Sequence, residues 1–517
     1  MLVRLLLALA AAWLRALGSV VEGGQRIAII GAGAAGASAA YFAQEELRAR
    51  GMEPAEIHVY ERSGRVGGRA QVGSVQYNNQ TLYFEQGASM FIGQNRHLMA
   101  MALKFDLALC SHPCTFGHSN SADMAANGAA ALGAYGLWEP RTRQWEVRMG
   151  SGPMLDSLRL LWRYRGVGDL GHVQRRTRTA VDEFMQSYEV FDNSTGGAYE
   201  SWAEYLLDKP LLRMSAYYSA AEFYIGERVR RRFLDEVVSL ATRVNYMQDI
   251  DRISAAGAHI SMAAESDTAY SVAGGNWQIF AAMLAATPAH LHLNATVLDV
   301  QRAPALAARP YALRVRLASG DEAVEHFDSV IIATPLPLAR MRVLDGRHTQ
   351  ATAVDYVSMH VTFVIGVLRS DLFPPSTDVP RLVVTPYHTA EPFNCLSILA
   401  CLDPAARRCR DGPVLAKVFS REPLSVPQVF ASVEWVRRKQ WHAYPRLTPR
   451  NAGYANASSS GAFSLDRPSP PPIVLDRPGP AAGVYYVNGM ESLFSTMESQ
   501  SVAARHVVRL ALFGKDK

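Results

Sequence analysis

The stretch RIAIIGAGAAGASAAYF, Arg26 to Phe42, constrains this chain more than any other. An apolar run from Ile27 to Ile30 meets Gly31-Ala-Gly33-Ala-Ala35-Gly36, and a helical pattern follows from about Ala37 to Arg50. A run that is apolar at every position needs cover on both faces, as in a parallel sheet. Gly31 permits a tight turn, Gly33 lets the backbone approach a pyrophosphate beside Ala35, and Gly36 lets the helix pack close to the strand. The helix start then offers free N–H groups to phosphate oxygens. The next strand, EIHVYE, ends in Glu61, placed to accept hydrogen bonds from ribose hydroxyls and to disfavour a 2′-phosphate. The expected fold class is α/β, with a Rossmann-like dinucleotide-binding domain holding FAD or NAD rather than NADP.

With 517 residues, 49% hydrophobic and 19% charged, the composition is that of a globular chain of two to four domains. The net charge of +5 is scattered. Its densest runs, RVRRRF from Arg228 and VRRKQW from Val436, read as solvated helix faces, so no nucleic-acid partner is expected. The opening MLVRLLLALAAAWLRALGS has the charged, apolar and small-residue order of a secretory signal over residues 1–20. Sequons at Asn79, Asn193, Asn294 and Asn456 point the same way, as glycosylation sites in the secretory pathway. Cys110 and Cys114 are close enough to pair, and Cys395, Cys401 and Cys409 form a second neighbourhood. His112 and His118 flank the first group, but the spacing fits no zinc pattern and no metal is expected.

Directly after Glu61 comes RSGRVGGRA, in which Arg62, the pair Gly67-Gly68 and Arg69 can lie against a bound phosphate. The glycine triplet, the acid and this loop together resemble the flavin-dependent amine-oxidase superfamily, which implies FAD. FEQGASMF, with Gly87, Ala88 and Ser89, resembles the segment beneath the flavin ring. VAGGNWQIFAAML resembles the helix returning to the FAD domain, and the strand with Val297 resembles the one that meets the adenine. VYYVNGMESLFSTMESQ, with Gly489, Glu491, Met497 and Glu498, resembles the closing motif, where a helix beginning near Ser495 or Thr496 would face the flavin.

Within that superfamily the chain resembles the prenylcysteine oxidase family, through YE…VGGR, GGN near Asn276 and the ending YYVNGMES…VAA. The resemblance implies oxidation of the thioether of S-farnesyl- or S-geranylgeranyl-cysteine to cysteine, a prenyl aldehyde and, with molecular oxygen, hydrogen peroxide. It also implies lysosomal or vacuolar residence, with secretion as the alternative, and a peripheral association with membrane or lipid. The chemistry asks for positioning and water exclusion more than for a strong base. Lys417 is the one candidate catalytic lysine, although its setting also fits a surface strand followed by a helix. No cysteine follows Cys409, so FAD is expected to be noncovalent.

The implied architecture has an FAD-binding domain from residues 25–110, 255–340 and 480–512. A discontinuous α+β substrate domain would come from 111–254 and 341–479. SAYYSAAEFYIG and DYVSMHVTFVIGVL are candidate channel walls, Gly117 to Gly136 reads as a loop, and so does the Pro-rich stretch Leu465 to Gly483. An amine oxidase or desaturase on this scaffold, or an inactive secreted flavin-binding protein, are the competing functions.

Overall fold

The computed structural model describes residues 24–111, 135–149, 153–192, 199–266, 268–304, 309–344, 346, 354–374, 379–386, 392–450, 470–479 and 482–514. The leader, Cys114, His112, His118, Asn193, Asn456 and most of the loop from Gly117 lie outside them.

A six-stranded sheet carries the N-terminal strand Arg26–Ile30 between Glu56–Glu61 and Ser329–Ile332, parallel to both. His290–Leu293 extends one side in parallel, and the late strand Ala482–Tyr486 pairs in parallel with Ser329–Ile332 on the other. Four of the five positions of Arg26–Ile30 and all of Ser329–Ile332 are buried, because helices cover one face and an antiparallel sheet the other. Helix Ala34–Ala49 lies against the closing helix Met497–Phe513. Their alanines and serines permit close approach, and Ser38 Oγ donates to Ser501 Oγ at 3.0 Å across the seam. The sheet therefore joins the first and last parts of the chain.

Val474–Gly479, within the stretch read as a loop, is instead the edge strand of this sheet, antiparallel to Ala482–Tyr486. Its one proline, Pro478, is compatible with an edge, where one row of N–H groups has no ladder partner to lose.

A seven-stranded, mostly antiparallel sheet forms the second region. Its long members are Tyr356–Leu368 and Phe430–Pro445. The latter contains the VRRKQW run, which is strand and not helix. Lys439, Trp441 and Ala443 share one face, so the charges of Arg437, Arg438 and Lys439 hide a period of two. Helices Gly168–Asp192, Pro210–Tyr217 and Ala255–Ser266 pack on one another, and Ser239–Tyr246 joins Ala255–Ser266 to strand Leu382–Val384 of this sheet, giving an α/β protein of two regions. Cys401 and Cys409 form a disulfide, Cys110 is also disulfide-bonded, and Cys395 is free and buried.

Candidate functional site

The glycine turn opens onto a cavity of about 1340 Å³. Single-ligand pockets hold roughly 300–1,000 Å³, so this one has room for a dinucleotide and a second ligand.

Its first end is built largely from backbone. Gly31 sits at φ +108°, and a Cβ on Gly36 would lie 1.8 Å from the Gly31 carbonyl oxygen, so strand and helix can meet only through glycine there. Gly33 precedes helix Ala34–Ala49 and supplies no side-chain cap, which leaves the N–H groups of the first turn open toward the cavity. Across from Gly33 lies the Gly67-Gly68 pair: a Cβ on Gly33 would stand 3.6 Å from the Gly68 Cα. The closing helix also begins at the cavity. Thr496 caps it by accepting from Ser499 N at 2.9 Å, while Met497 and Glu498 line the space. Two helix N-termini thus meet one cavity, and both favour negative charge.

The charged side chains at this end are engaged by protein. Glu61 Oε2 accepts from Ala32 N at 2.9 Å and Oε1 from Ser63 N at 2.8 Å. Arg69 pairs with Glu491 and donates to the Ala443 carbonyl at 2.8 Å, while Tyr356 donates to Glu491 at 2.8 Å. Glu498 accepts from His97 N and Leu98 N at 2.8 and 3.0 Å, capping helix Arg96–Lys104, and from the Tyr188 hydroxyl. Burial pushes its carboxyl up to about 7 against those hydrogen bonds. Arg62, Gly87, Ala88 and Ser89 line the cavity as well. Gly36, Val297 and Gly489 do not: Gly36 seats the helix, Val297 is buried in an antiparallel sheet opposite Val315, and Gly489 lies against Trp202 and Pro471.

The other end is a wall of side chains. Lys417, on strand Val414–Ser420, is 7% exposed, so it is not a surface lysine. Its Nζ donates to the Glu85 carbonyl at 3.0 Å and lies 5.0 Å from the Phe419 ring. Burial lowers its pKa to about 8, with Glu85 and Cys395 opposing the shift. The predicted helix after it is a long strand (Phe430–Pro445). Of the two expected wall segments, SAYYSAAEFYIG contributes nothing to the lining and DYVSMHVTFVIGVL only Met359. The apolar lining comes instead from Ala180, Val181, Phe184, Leu212, Ile260 and Ala263, on helices that carried no distinguishing sequence signal.

Glu85, Gln86, Asn488 and Gln500 line the cavity with buried polar atoms that have no hydrogen-bond partner among the described residues. Each such atom costs about 1–3 kcal/mol if left unpaired. A ligand with donors and acceptors along its ring edge, as a flavin has, fits that surplus. Asn488 and Gln500 lie within the closing motif; Glu85 and Gln86 precede Gly87.

The prenylcysteine lyase family model matches residues 150–457, more than half of the chain. The chain belongs to the prenylcysteine lyase family. A second model, an NAD(P)-binding Rossmann-like domain, matches residues 29–105. Among curated relatives of this family member, farnesylcysteine lyase of Arabidopsis thaliana is 27% identical over 94% of this chain and 88% of its own. Prenylcysteine oxidase 1 of Mus musculus is 26% identical over 94% and 88%. A putrescine oxidase with a redesigned cofactor site superposes with a TM-score of 0.53 at 14% identity, covering 95% of this chain and 98% of that one. That likeness shows the fold. Together with the cavity, these relationships indicate a flavin-type cofactor for this lyase-family chain.

Proposed function

We propose that this chain is an FAD-dependent oxidase that cleaves S-prenyl-L-cysteine, with water and molecular oxygen as co-substrates. The products are cysteine, a prenyl aldehyde and hydrogen peroxide. The observation that carries the reading is the single cavity joining the glycine turn and both helix N-termini to an apolar recess, in a chain of the prenylcysteine lyase family.

Gly31, Gly33, Gly67 and Gly68, with the first turns of the two helices, would hold the nucleotide phosphates, and Glu61 the ribose. No cysteine lines the cavity among the described residues, in keeping with noncovalent FAD. A bound flavin supplies the acceptor for two electrons from the carbon beside sulfur and passes them to oxygen. The protein's part is orientation and dryness. Phe184, Leu212 and Ile260 offer the recess for a prenyl chain. Lys417 Nζ, held in the wall by its bond to the Glu85 carbonyl, can hydrogen-bond and position the water that attacks the oxidised carbon. The thioether's own sulfur stabilises charge at that carbon, so no nucleophilic side chain is needed.

The secretory route, to lysosome or vacuole or outward, belongs to the same reading. The Cys401–Cys409 disulfide supports an oxidising compartment, and Asn79 and Asn294 are exposed as glycosylation would require. Helix Pro153–Arg163 exposes Leu155, Leu158 and an 86%-exposed Trp162 beside Arg159, a face suited to an anionic lipid surface that would hold the prenylated substrate.

An absorption spectrum of the purified yellow protein under nitrogen tests the reading. Farnesylcysteine is expected to bleach the flavin bands. Bands that persist with farnesylcysteine and bleach with a polyamine would transfer the chain to amine oxidation.

A further inference from the structure

Most cations lining the cavity are held by the protein itself. Arg65 donates to the Gly68 carbonyl and Gln71, Arg69 pairs with Glu491, Lys439 donates to Gln71, and Lys417 to the Glu85 carbonyl. Arg381 differs. It lines the same cavity, its Nε is buried, and its guanidinium has no hydrogen-bond or ion-pair partner among the described residues. No carboxylate counters its burial, which lowers its pKa from the ordinary arginine value. A half-buried guanidinium without a counter-ion is costly, and its forked donors match a carboxylate in two parallel hydrogen bonds.

Its place in the sheet matters as much as its charge. Arg381 immediately precedes Leu382, which pairs with Ser397, which pairs with Lys417. Adjacent strands lie about 4.8 Å apart, so Leu382 and Lys417 are separated by roughly 10 Å of one wall. The Arg381 carbonyl accepts from Ile398 N at 2.8 Å, which fixes the backbone from which the side chain extends. In an S-prenylated cysteine only the sulfur, Cβ and Cα stand between the carbon to be oxidised and the carboxylate. Arg381 and Lys417 line the same cavity, so a carboxylate held by Arg381 would leave the reacting carbon inside the space that Lys417 borders.

We propose that the Arg381 guanidinium binds the α-carboxylate of the S-substituted cysteine, and so selects the free amino acid over a carboxyl-blocked one. The inference rests on the prenylcysteine reading above and adds the recognition of its polar end. It also names a preferred metabolic form: an esterase-type reaction that demethylates a carboxyl-methylated prenylcysteine would supply the better substrate.

Anaerobic flavin reduction by farnesylcysteine and by farnesylcysteine methyl ester tests it in the holoenzyme. Hydrogen bonds to charged groups are worth about 1.5–3 kcal/mol, so the wild type should reach half-maximal reduction at roughly 10- to 100-fold lower concentration of acid than of ester. Arg381→Met should raise the concentration needed for the acid by that factor and leave the ester unchanged. Equal shifts for both substrates, or none for either, would overturn the proposal. Should Arg381→Met fail to retain flavin, Arg381→Lys decides: it should still prefer acid over ester, and no preference overturns the proposal. A wild type reduced by neither compound would instead overturn the substrate reading itself, before any variant is made, and this inference with it.

Discussion

The two ends of the cavity are built on different principles. At the glycine turn the lining is main chain, and the acids and bases nearby, Glu61, Arg69, Glu491 and Glu498, are already bonded to protein. At the sheet wall the lining is side chain, and Arg381, Glu85 and Gln86 keep buried polar atoms without partners among the described residues. A main-chain end recognises shape and phosphate charge, and a substitution matters there chiefly through the room a Cβ takes. The side-chain end recognises individual polar groups, so single atoms matter.

The sharpest way to break this contrast is at the two central glycines. Gly36→Ala puts a Cβ against the Gly31 carbonyl and should destabilise the fold by about 3 kcal/mol or more, with loss of bound flavin. Gly33→Ala meets the protein only at ordinary contact distance, so its melting temperature without cofactor should stay near wild type while its flavin content falls. Thermal melts with a visible spectrum on each variant separate the cases. A colourless, normally stable Gly36→Ala would show that the close approach had been misjudged.

At the wall, Lys417→Met should slow anaerobic reduction or aldehyde release about a hundredfold. The lysine also leaves a signature in stability. Its folded pKa of about 8 is below the ordinary 10.5, so its favourable contribution is present above pH 10.5 and lost as pH falls through 8. Lys417→Met should therefore gain most, relative to wild type, at pH 7 and little at pH 10.5. Rates and melting curves that match wild type at every pH would remove Lys417 from the mechanism.

Glu498 gives an opposite pH effect of similar size at the main-chain end. Its folded pKa of about 7 exceeds the ordinary 4.5, so its contribution is complete below pH 4.5 and lost as pH rises through 7. Urea melts of Glu498→Gln should show roughly 2–3 kcal/mol less fall between pH 4.5 and 8 than the wild type. Parallel curves would mean that its carboxyl is ionised throughout. The smallest effect is expected on the outer face, where Trp162→Ser should weaken sedimentation with anionic vesicles a few-fold while flavin reduction by soluble substrate is unchanged. Undiminished sedimentation would place lipid contact elsewhere.

The same contrast explains what could be read in advance. The glycine turn, Glu61 and the Thr496 cap sit in consecutive residues whose spacing is itself the chemistry, so strand, turn and helix were legible. Arg381, Lys417 and Glu85 share a cavity only because separate strands and a hairpin bring them there, and nothing local marks them. Lys417 resembled a surface lysine because neighbouring apolar residues on a strand do not reveal that both faces are covered. Phe430–Pro445 resembled a helix because three adjacent cations masked its alternation, and Val474–Gly479 a loop because of the prolines in the stretch around it. Alanine-rich helix Ala255–Ser266 gave no hint that it borders the recess, since small apolar residues serve any core equally well.

Strand Ala482–Tyr486 stands beside Ser329–Ile332, and helix Met497–Phe513 lies against the glycine-turn helix. During synthesis, then, a nascent polypeptide cannot complete its nucleotide-binding half until this late strand and helix have also been made. At about 5–20 residues per second, its opening segment waits tens of seconds on the ribosome for its last partner. Premature termination anywhere upstream should yield material that chaperones retain and no cofactor can rescue.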